Sequence, residues 1–257
     1  MCQASNFAYD PYVTGIIGSV IASFLTLVII HINKTIRKKC WRFKLKAIFG
    51  EQENDPTKLI LPVFRIREEI IPFLKSNGFP NSDFPLRKHD GSLVRSEKLL
   101  GNCDTRALKY VSDLLSNKMN IKPELVIDED LLKDLDLNYI AFGGSNFYCS
   151  YLLDNDNNPF FHTTGESIIN RKNRNEFKID YPYDYGLIMK VKPDNLPQKI
   201  WIIIVGIGET GTSGAAWYLS THWKEIYHEF KDKEFGIIIK VKEGIDGSAD
   251  IVDKVTK

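Results

Sequence analysis

A glycine-rich turn follows a long apolar run in residues 200–219, IWIIIVGIGETGTSGAAWYL. Its first three glycines, Gly206, Gly208 and Gly211, fit the spacing GxGxxG. Glycines at this spacing let a chain turn tightly and approach an anion closely, and free N–H groups at the start of the next helix attract phosphate. The pattern predicts a phosphate site between a strand and a helix that begins at Thr212 or Ser213. The candidate binding residues of this turn are Gly206, Gly208, Glu209, Thr210, Gly211, Thr212 and Ser213.

Another glycine turn, the first of the two along the chain, occurs in YIAFGGSNFYCSYLL, where a predicted strand ends at Gly143 and Gly144 and a helix opens after Ser145 and Asn146. One interpretation is that Ser145 or Asn146 is simply the N-cap of that helix. The other follows from parallel sheets, in which ligands bind beyond the carboxyl ends of the strands. On that interpretation the two turns form one pocket for a phosphate or nucleotide.

A basic loop lies between the two glycine turns. Its cations are Arg171, Lys172 and Arg174. We expect them either to close over the predicted pocket and contact an anionic ligand or to form an ordinary solvated loop.

The elements that must position these turns alternate between strand and helix, which predicts a Rossmann-like layered α/β domain. Residues 159–178 read as one or two strands with the basic loop. The predicted strands are ELVIDED, LNYIAFGG, DYGLIMKVKP, KIWIIIVGIG and EFGIIIKVKEG, the last of which closes the sheet. The predicted helices are TRALKYVSDLLS, SNFYCSYLLD and SGAAWYLSTHWKEIYHEF.

The N-terminal part of the chain predicts a single transmembrane helix. Residues 12–32 carry no formal charge, and 21 helical residues can cross a hydrocarbon core of about 30 Å. A cleaved signal peptide is disfavoured because no basic region precedes the apolar run. Seven cations follow it: Lys34, Arg37, Lys38, Lys39, Arg42, Lys44 and Lys46. The positive-inside rule therefore predicts that residues 1–11 lie outside and the large domain lies in the cytoplasm.

Small residues recur at every fourth position of this helix, along two adjacent lines. The lines are Gly15, Ser19 and Ser23, and Gly18, Ala22 and Thr26. Small residues let helix backbones approach closely in a bilayer, which predicts a homo-oligomeric transmembrane bundle. The alternative is that a single-pass anchor contains small residues by chance.

Composition sets the remaining boundaries. We expect a basic neck and linker over residues 33–56, an irregular α/β region over 57–102, and the nucleotide-sensing domain over 103–257. Without the seven cations and Asp10, the chain has 27 basic and 32 acidic residues, so the part from residue 47 onward is not a general nucleic-acid binder. The four cysteines are far apart, without metal-ligand spacing, so we predict no zinc site, disulfide scaffold or bound cofactor.

The combination of an N-terminal anchor, a basic neck, FGGSN and VGIGETGTSGAAWYL resembles membrane effectors of bacterial antiphage systems, in which a CARF- or SLOG-type sensor controls a membrane-spanning part. The layout is similar to that of the Hailong-type effector, which oligodeoxynucleotides from a partner nucleotidyltransferase hold in check. The resemblance implies a nucleotide or oligonucleotide signal, a partner nucleotidyltransferase, and control of ion flow across the membrane.

An enzyme is the alternative. No serine elbow, metal-binding helix or catalytic dyad is recognisable in the sequence, and the strand after the GxGxxG turn lacks the acidic residue that usually holds a ribose in dinucleotide enzymes. His162, beside Thr163 and Thr164, is the best candidate for an acid or base near a nucleotide. The alternative function is therefore a membrane-anchored nucleotide or NAD hydrolase.

Overall fold

The structure, a computed structural model, describes residues 11–50, 56–62, 101–154 and 160–257. The chain divides into two compact units, with the boundary between Phe43 and Lys44. The expected irregular region 57–102 lies mostly outside the described residues, as do residues 1–10 of the expected external N-terminus.

Helix α1, Pro11–Phe49, is one uninterrupted helix of 39 residues. From Gly15 onward it is long and apolar enough to cross a membrane, by length and composition. The hydroxyls of Ser19, Ser23 and Thr26 donate to carbonyls one turn earlier, at 3.0, 2.8 and 2.8 Å, so these polar groups are satisfied within the helix. Gly15 and Gly18 have open space where a side chain would stand.

The second unit is built on a seven-stranded mixed sheet with the order β10-β9-β7-β8-β3-β1-β2. Strands β1, β2, β3 and β8 are parallel, and β7, β9 and β10 continue the sheet in antiparallel pairs. Their bounds are Lys58–Leu61 (β1), Glu124–Ile127 (β2), Tyr139–Phe142 (β3), Tyr183–Val191 (β7), Trp201–Gly206 (β8), Phe235–Lys242 (β9) and Ile245–Thr256 (β10). Since β7 runs against β8, β7 begins at the sheet edge where β3 and β8 end.

Both faces of the sheet are covered. Helices α2, Asn102–Leu114, and α4, Glu209–Thr221, pack against each other on one side. A small sheet and helix α3, Phe147–Asp154, pack on the other, where Tyr148 and Phe161 join Tyr139, Leu187 and Trp201 of the large sheet in one core. The small sheet consists of β4, Phe161–Thr163, β5, Ser167–Asn170, and β6, Glu176–Lys178. The predicted α/β class is thus confirmed.

The structure corrects two predictions about the end of the chain. The predicted helix SGAAWYLSTHWKEIYHEF begins earlier, at Glu209, and is two helices, α4 and α5, Trp223–Phe230, divided at His222. The predicted last strand does not close the sheet, because β10 follows it and forms the edge. β10 has no continuous apolar run: only Asp246 and Ala249 in it are buried, and exposed residues alternate with half-buried ones from Asp250 to Thr256.

The C-terminal turn of α1 belongs to the second unit. Leu45, Ile48 and Phe49 are fully buried there. Lys190 of β7 is also fully buried, and its Nζ donates to the carbonyls of Ala47 at 2.5 Å and of Asp232 at 3.1 Å. The expected neck, residues 33–56, therefore divides between the two units at residue 44.

Candidate functional site

A cleft of about 490 Å³ lies at the carboxyl ends of β3 and β8. Both glycine turns line it, together with the first turn of α2, the end of α3 and the turn between β4 and β5. The lining residues are Asp104, Gly143, Gly144, Ser145, Ser150, Leu153, Asp154, Thr163, Gly165, Ser167, Ile168, Val205, Gly206, Ile207, Gly208, Glu209 and Thr212. The parallel register of β3 and β8 brings the two turns together although they are about 60 residues apart in sequence.

The first turn closes β3 tightly. Gly143 has φ +77°, a conformation that glycine adopts readily and other residues rarely do. Gly144 and Ser145 are exposed on the wall of the cleft. A side chain at Gly144 would point into open space, since no atom lies within 4 Å of its Cβ position.

Asn146 is a structural residue beneath this turn. It is fully buried, its Nδ2 donates to the Ile60 carbonyl at 3.1 Å, and its Oδ1 accepts from the Tyr148 N–H at 2.9 Å. The Phe147 N–H, also at the start of α3, donates to Asp128 Oδ2 at 3.3 Å. The first N–H groups of α3 are thus satisfied by protein side chains, and Asn146 does not line the cleft.

The second turn holds a carboxylate of the protein. Asp184, at the start of β7, is buried, and its Oδ1 accepts from the Gly208 N–H at 2.9 Å. Its Oδ2 accepts from the Gly211 N–H at 2.6 Å. Because β7 begins where β8 ends, Asp184 reaches the place at the start of α4 where we expected a phosphate. A Cβ at Gly208 would meet Asp184 Oδ2 at 2.7 Å and not a ligand.

The glycine spacing is explained by backbone packing. A Cβ at Gly211 would lie 2.2 Å from the Tyr185 carbonyl oxygen, and one at Gly186 would lie 2.1 Å from the Gly211 carbonyl oxygen. A Cβ at Gly206 would lie 2.4 Å from the Thr212 nitrogen. Glycines at these positions therefore let α4 begin directly against β7 and β8.

The hydroxyl residues of the GxGxxG turn divide into lining and structural groups. Thr212 lines the cleft. Thr210 Oγ1 accepts from the Gly244 N–H at 3.2 Å, and Ser213 Oγ donates to Asp246 Oδ1 at 2.6 Å. Arg106 of α2 forms an ion pair with the same Asp246, with its Nε 3.1 Å from Asp246 Oδ2. Thr210, Gly211 and Ser213 thus fasten α4 to its neighbours and are not part of the cleft wall.

The basic loop is at the far end of β5. Arg171, Lys172 and Arg174 lie in the turn between β5 and β6, whereas the cleft is lined by the turn that precedes β5. They are therefore not among the lining residues. His162 is exposed on β4 and does not line the cleft either, although its neighbour Thr163 does.

Three acidic side chains line the cleft, and of these only Glu209 is among the binding residues predicted from the sequence. Asp104 is only 8 % exposed, and burial together with the nearby Glu209 carboxylate raises its pKa to about 6. Asp154 lines the same cavity. Burial likewise raises the pKa of the adjacent Cys103 thiol, whose Sγ lies 3.8 Å from Glu209 Oε2.

Asp184 beside the GxGxxG turn and Asp104 in the cleft carried weak signals in the sequence. Asp184 precedes Tyr185 and Gly186 at the start of a strong strand, and Asp104 is the only acid in the first turn of α2. A carboxylate at a helix start is usually assigned to favourable interaction with the helix dipole. Over the described ranges, no group of three or more His, Cys, Asp or Glu side chains is arranged to hold a metal ion.

Function must be argued from this geometry. No protein-family model, curated protein or solved structure matches the chain.

Proposed function

We propose that this protein is a single-pass effector of the bacterial inner membrane, which binds a nucleotide or oligonucleotide signal in the cleft of its Rossmann-like α/β unit. Binding controls a bundle of several α1 helices that permeabilises or depolarises the membrane in antiphage defence. A partner nucleotidyltransferase makes the signal. The observation that carries the proposal is the cleft, in which two glycine turns meet at the carboxyl ends of parallel strands.

The anchor supports the membrane part of the proposal. α1 has an apolar stretch of membrane-spanning length followed by seven cations between Lys34 and Lys46. The positive-inside rule then directs the α/β unit to the cytoplasm. One helix encloses no path for ions, so permeation requires several copies, and the small-residue lines through Gly15 and Gly18 are suited to close helix contact.

The chain also supports a route from ligand to membrane. α1 passes from the first unit into the second without a loop, and its last turn is buried in the core of the second. Lys190, which holds Ala47 of that turn, is on β7, the strand whose first residues include Asp184, the acceptor of the Gly211 N–H. A change at the start of β7 or α4 therefore has a short packed path to the end of α1.

The test is the small-molecule content of the purified full chain. We expect mass spectrometry to detect a nucleotide or oligonucleotide that co-purifies with the protein in lipid nanodiscs, and addition of that compound to change membrane potential in vesicles. Gly144→Leu adds a large side chain to the cleft wall at a position where no atom lies within 4 Å of the added Cβ, and it should abolish both effects. Gly247→Leu is the matched control, because Gly247 is exposed away from the cleft and a Cβ there makes only ordinary contact with Trp217.

Two results would contradict this function. One is a nucleotide that binds Gly144→Leu as well as it binds the wild type, which would place the ligand outside the cleft. The other is vesicles whose potential does not respond to any co-purified compound.

The second candidate is a nucleotide or NAD hydrolase, and one observation favours it. Asp104 is a cleft-lining carboxyl whose pKa is raised to about 6, so near neutral pH it is suited to accept or donate a proton. Chromatography of nucleotides and NAD incubated with the full chain distinguishes the candidates. Turnover that disappears in Asp104→Asn, without any effect on membrane potential, would favour the hydrolase.

A further inference from the structure

Asp104 is a buried acid without a partner in the described structure. It is 8 % exposed, lines the cleft, and makes no hydrogen bond or ion pair with any residue that the structure describes. Its carboxyl group lies against the first glycine turn, since a Cβ at Gly143 would come within 2.9 Å of Asp104 Oδ1. The residue is mostly buried while no described donor satisfies its carboxyl, so the cavity that it faces is the place from which a ligand donor can reach it.

The charge of the cleft limits the ligand group that can lie there. Asp104, Asp154 and Glu209 line it, and no lysine, arginine or histidine is among the described lining residues. Of the N–H groups at the helix starts, that of Phe147 donates to Asp128 at α3, and those of Gly208 and Gly211 donate to Asp184 at α4. A phosphate next to Asp104 would therefore meet like charges.

Hydroxyl groups match this chemistry. Ionised carboxylates only accept hydrogen bonds, and adjacent hydroxyls of a sugar can donate to two acceptors at once. Acidic side chains hold ribose hydroxyls in this way at the edges of parallel sheets. The small residues Gly143, Gly144 and Gly165 leave room for a sugar ring in a cavity of about 490 Å³.

We propose that Asp104, together with Glu209, binds the hydroxyl groups of a ribose or similar sugar, so that the sugar of the ligand enters the cleft and its phosphates point away from these acids. This inference rests on the proposed function, because it assigns one part of a nucleotide to one part of the same site. It makes Asp104 a specificity residue that distinguishes ribose from deoxyribose.

The experiment measures binding of defined probes to the full chain in nanodiscs. The probes are the four common ribonucleosides, their 2′-deoxy forms, inorganic phosphate and Mg²⁺ alone, each followed by ligand-observed NMR and by the melting temperature of the protein. We expect at least one ribonucleoside to bind. Its 2′-deoxy form should bind at least about tenfold more weakly, because it loses a hydrogen bond to a charged group. Inorganic phosphate should not compete.

Asp104→Asn should weaken ribonucleoside binding about tenfold or more, because the amide replaces one acceptor oxygen with donors. Asp113→Asn is the matched control, since Asp113 is an exposed acid on the same helix that pairs with Lys109. The melting curve of Asp104→Asn shows whether the variant is folded, and Asp104→Glu, which keeps the charge, should retain a preference for ribose.

Equal binding of the ribose and deoxyribose probes, or binding by Asp104→Asn as tight as by the wild type, would overturn this inference. A co-purified nucleotide would still support the proposed function in either case. Failure of every nucleoside to bind at millimolar concentration would also overturn it, and the co-purification test decides the proposed function separately. Stabilisation by Mg²⁺ alone that is lost in Asp104→Asn would assign the acids to a cation and overturn the sugar site.

Discussion

At the residue scale, the two acids next to the glycine turns differ in how they are satisfied. Asp184 accepts from the N–H groups of Tyr185, Gly208 and Gly211, at 2.7, 2.9 and 2.6 Å. Asp104 accepts from no N–H group of the described residues, and Glu209 adds a negative charge nearby. The first acid therefore holds the start of α4 in place, whereas the second is a buried charge that a ligand can satisfy.

Asp184→Asn should destabilise the second unit by about 2–3 kcal/mol, because hydrogen bonds to a charged acceptor are lost and one amide group faces N–H donors. Chemical unfolding of the full chain in detergent, followed by tryptophan fluorescence, measures this change. Asp180→Asn is the control, since Asp180 is exposed, and it should change the free energy of unfolding by less than about 0.5 kcal/mol. Equal stability of the two variants would show that the Asp184 contacts do not hold the turn.

Asp104 should contribute to the pH dependence of stability with a sign opposite to that of an acid whose pKa is lowered by folding. Its pKa is about 6 in the folded protein and near 3.8 when unfolded, so the folded state binds more protons between these values. The contribution of Asp104 to the free energy of unfolding therefore falls as pH rises from about 4 to 6, and stays low above. Replacing the acid with Asn should remove this fall.

Asp104→Asn should accordingly be more stable than the wild type at pH 7, by about 1–2 kcal/mol when screening by cleft water is allowed for. At pH 4 the two proteins should have nearly equal free energies of unfolding. Glu209 of α4, Asp154 of α3 and Cys103 of α2 also face this region, so the difference between the two proteins is the quantity to measure. A constant difference from pH 4 to 7 would contradict the assigned shift.

At the element scale, the end of α1 is held by both apolar and polar contacts. Leu45, Ile48 and Phe49 contribute fully buried apolar side chains. Lys190 brings a positive charge to the Ala47 carbonyl in the last turn, where the helix dipole favours cations. Burial lowers the pKa of Lys190 to about 8, so much of its stabilising charge is retained at neutral pH.

Removal of residues 1–49 should destabilise the α/β unit more than removal of residues 1–37. The longer deletion exposes the contacts of three buried side chains, each worth about 1.5–3 kcal/mol, and leaves Lys190 without Ala47. We expect the version that begins at Gly50 to aggregate or to melt at lower temperature, and the version that begins at Lys38 to unfold cooperatively. Similar melting curves for the two versions would show that the last turn of α1 is dispensable.

At the scale of the whole molecule, charge and apolarity are separated along the chain. The basic segment follows the apolar part of α1, and the chain beyond residue 47 is net acidic. An anionic membrane surface attracts the first and repels the second. In the proposed topology, this distribution favours an α/β unit that is held at the membrane by α1 and the basic segment and not by its own surface.

The double variant Gly18→Leu, Ala22→Leu should weaken self-association, because leucines on that line prevent close approach of helix backbones. Crosslinking of the full chain in nanodiscs should show fewer oligomers, and a potential-sensitive dye should report less depolarisation in cells. The control is Ile17→Leu, Ile21→Leu, which exchanges exposed apolar residues for apolar ones at the same spacing. Unchanged oligomers in the first variant would remove the small-residue line from the proposed interface.

The sequence by itself determined those features that depend on local pattern. A run of apolar residues predicted the apolar part of α1, and apolar segments predicted β2, β3, β7, β8 and β9 together with α2 and the helices after β3 and β8. It also located both glycine turns, because a glycine pattern after an apolar run is a local signal. The break at His222 and the edge strand β10 were missed, since tertiary packing overrides weak local preference there.

Only the tertiary structure decided what the glycine turns hold. Asp184 is more than 20 residues before Gly208 in sequence, and it reaches the turn because β7 lies antiparallel beside β8. Asp104 faces the first turn because α2 packs beside α4 above the same sheet edge. A sequence pattern records which backbone positions need glycine, whereas the charge that fills the space beside them comes from strand order and long-range contacts, which no local pattern contains.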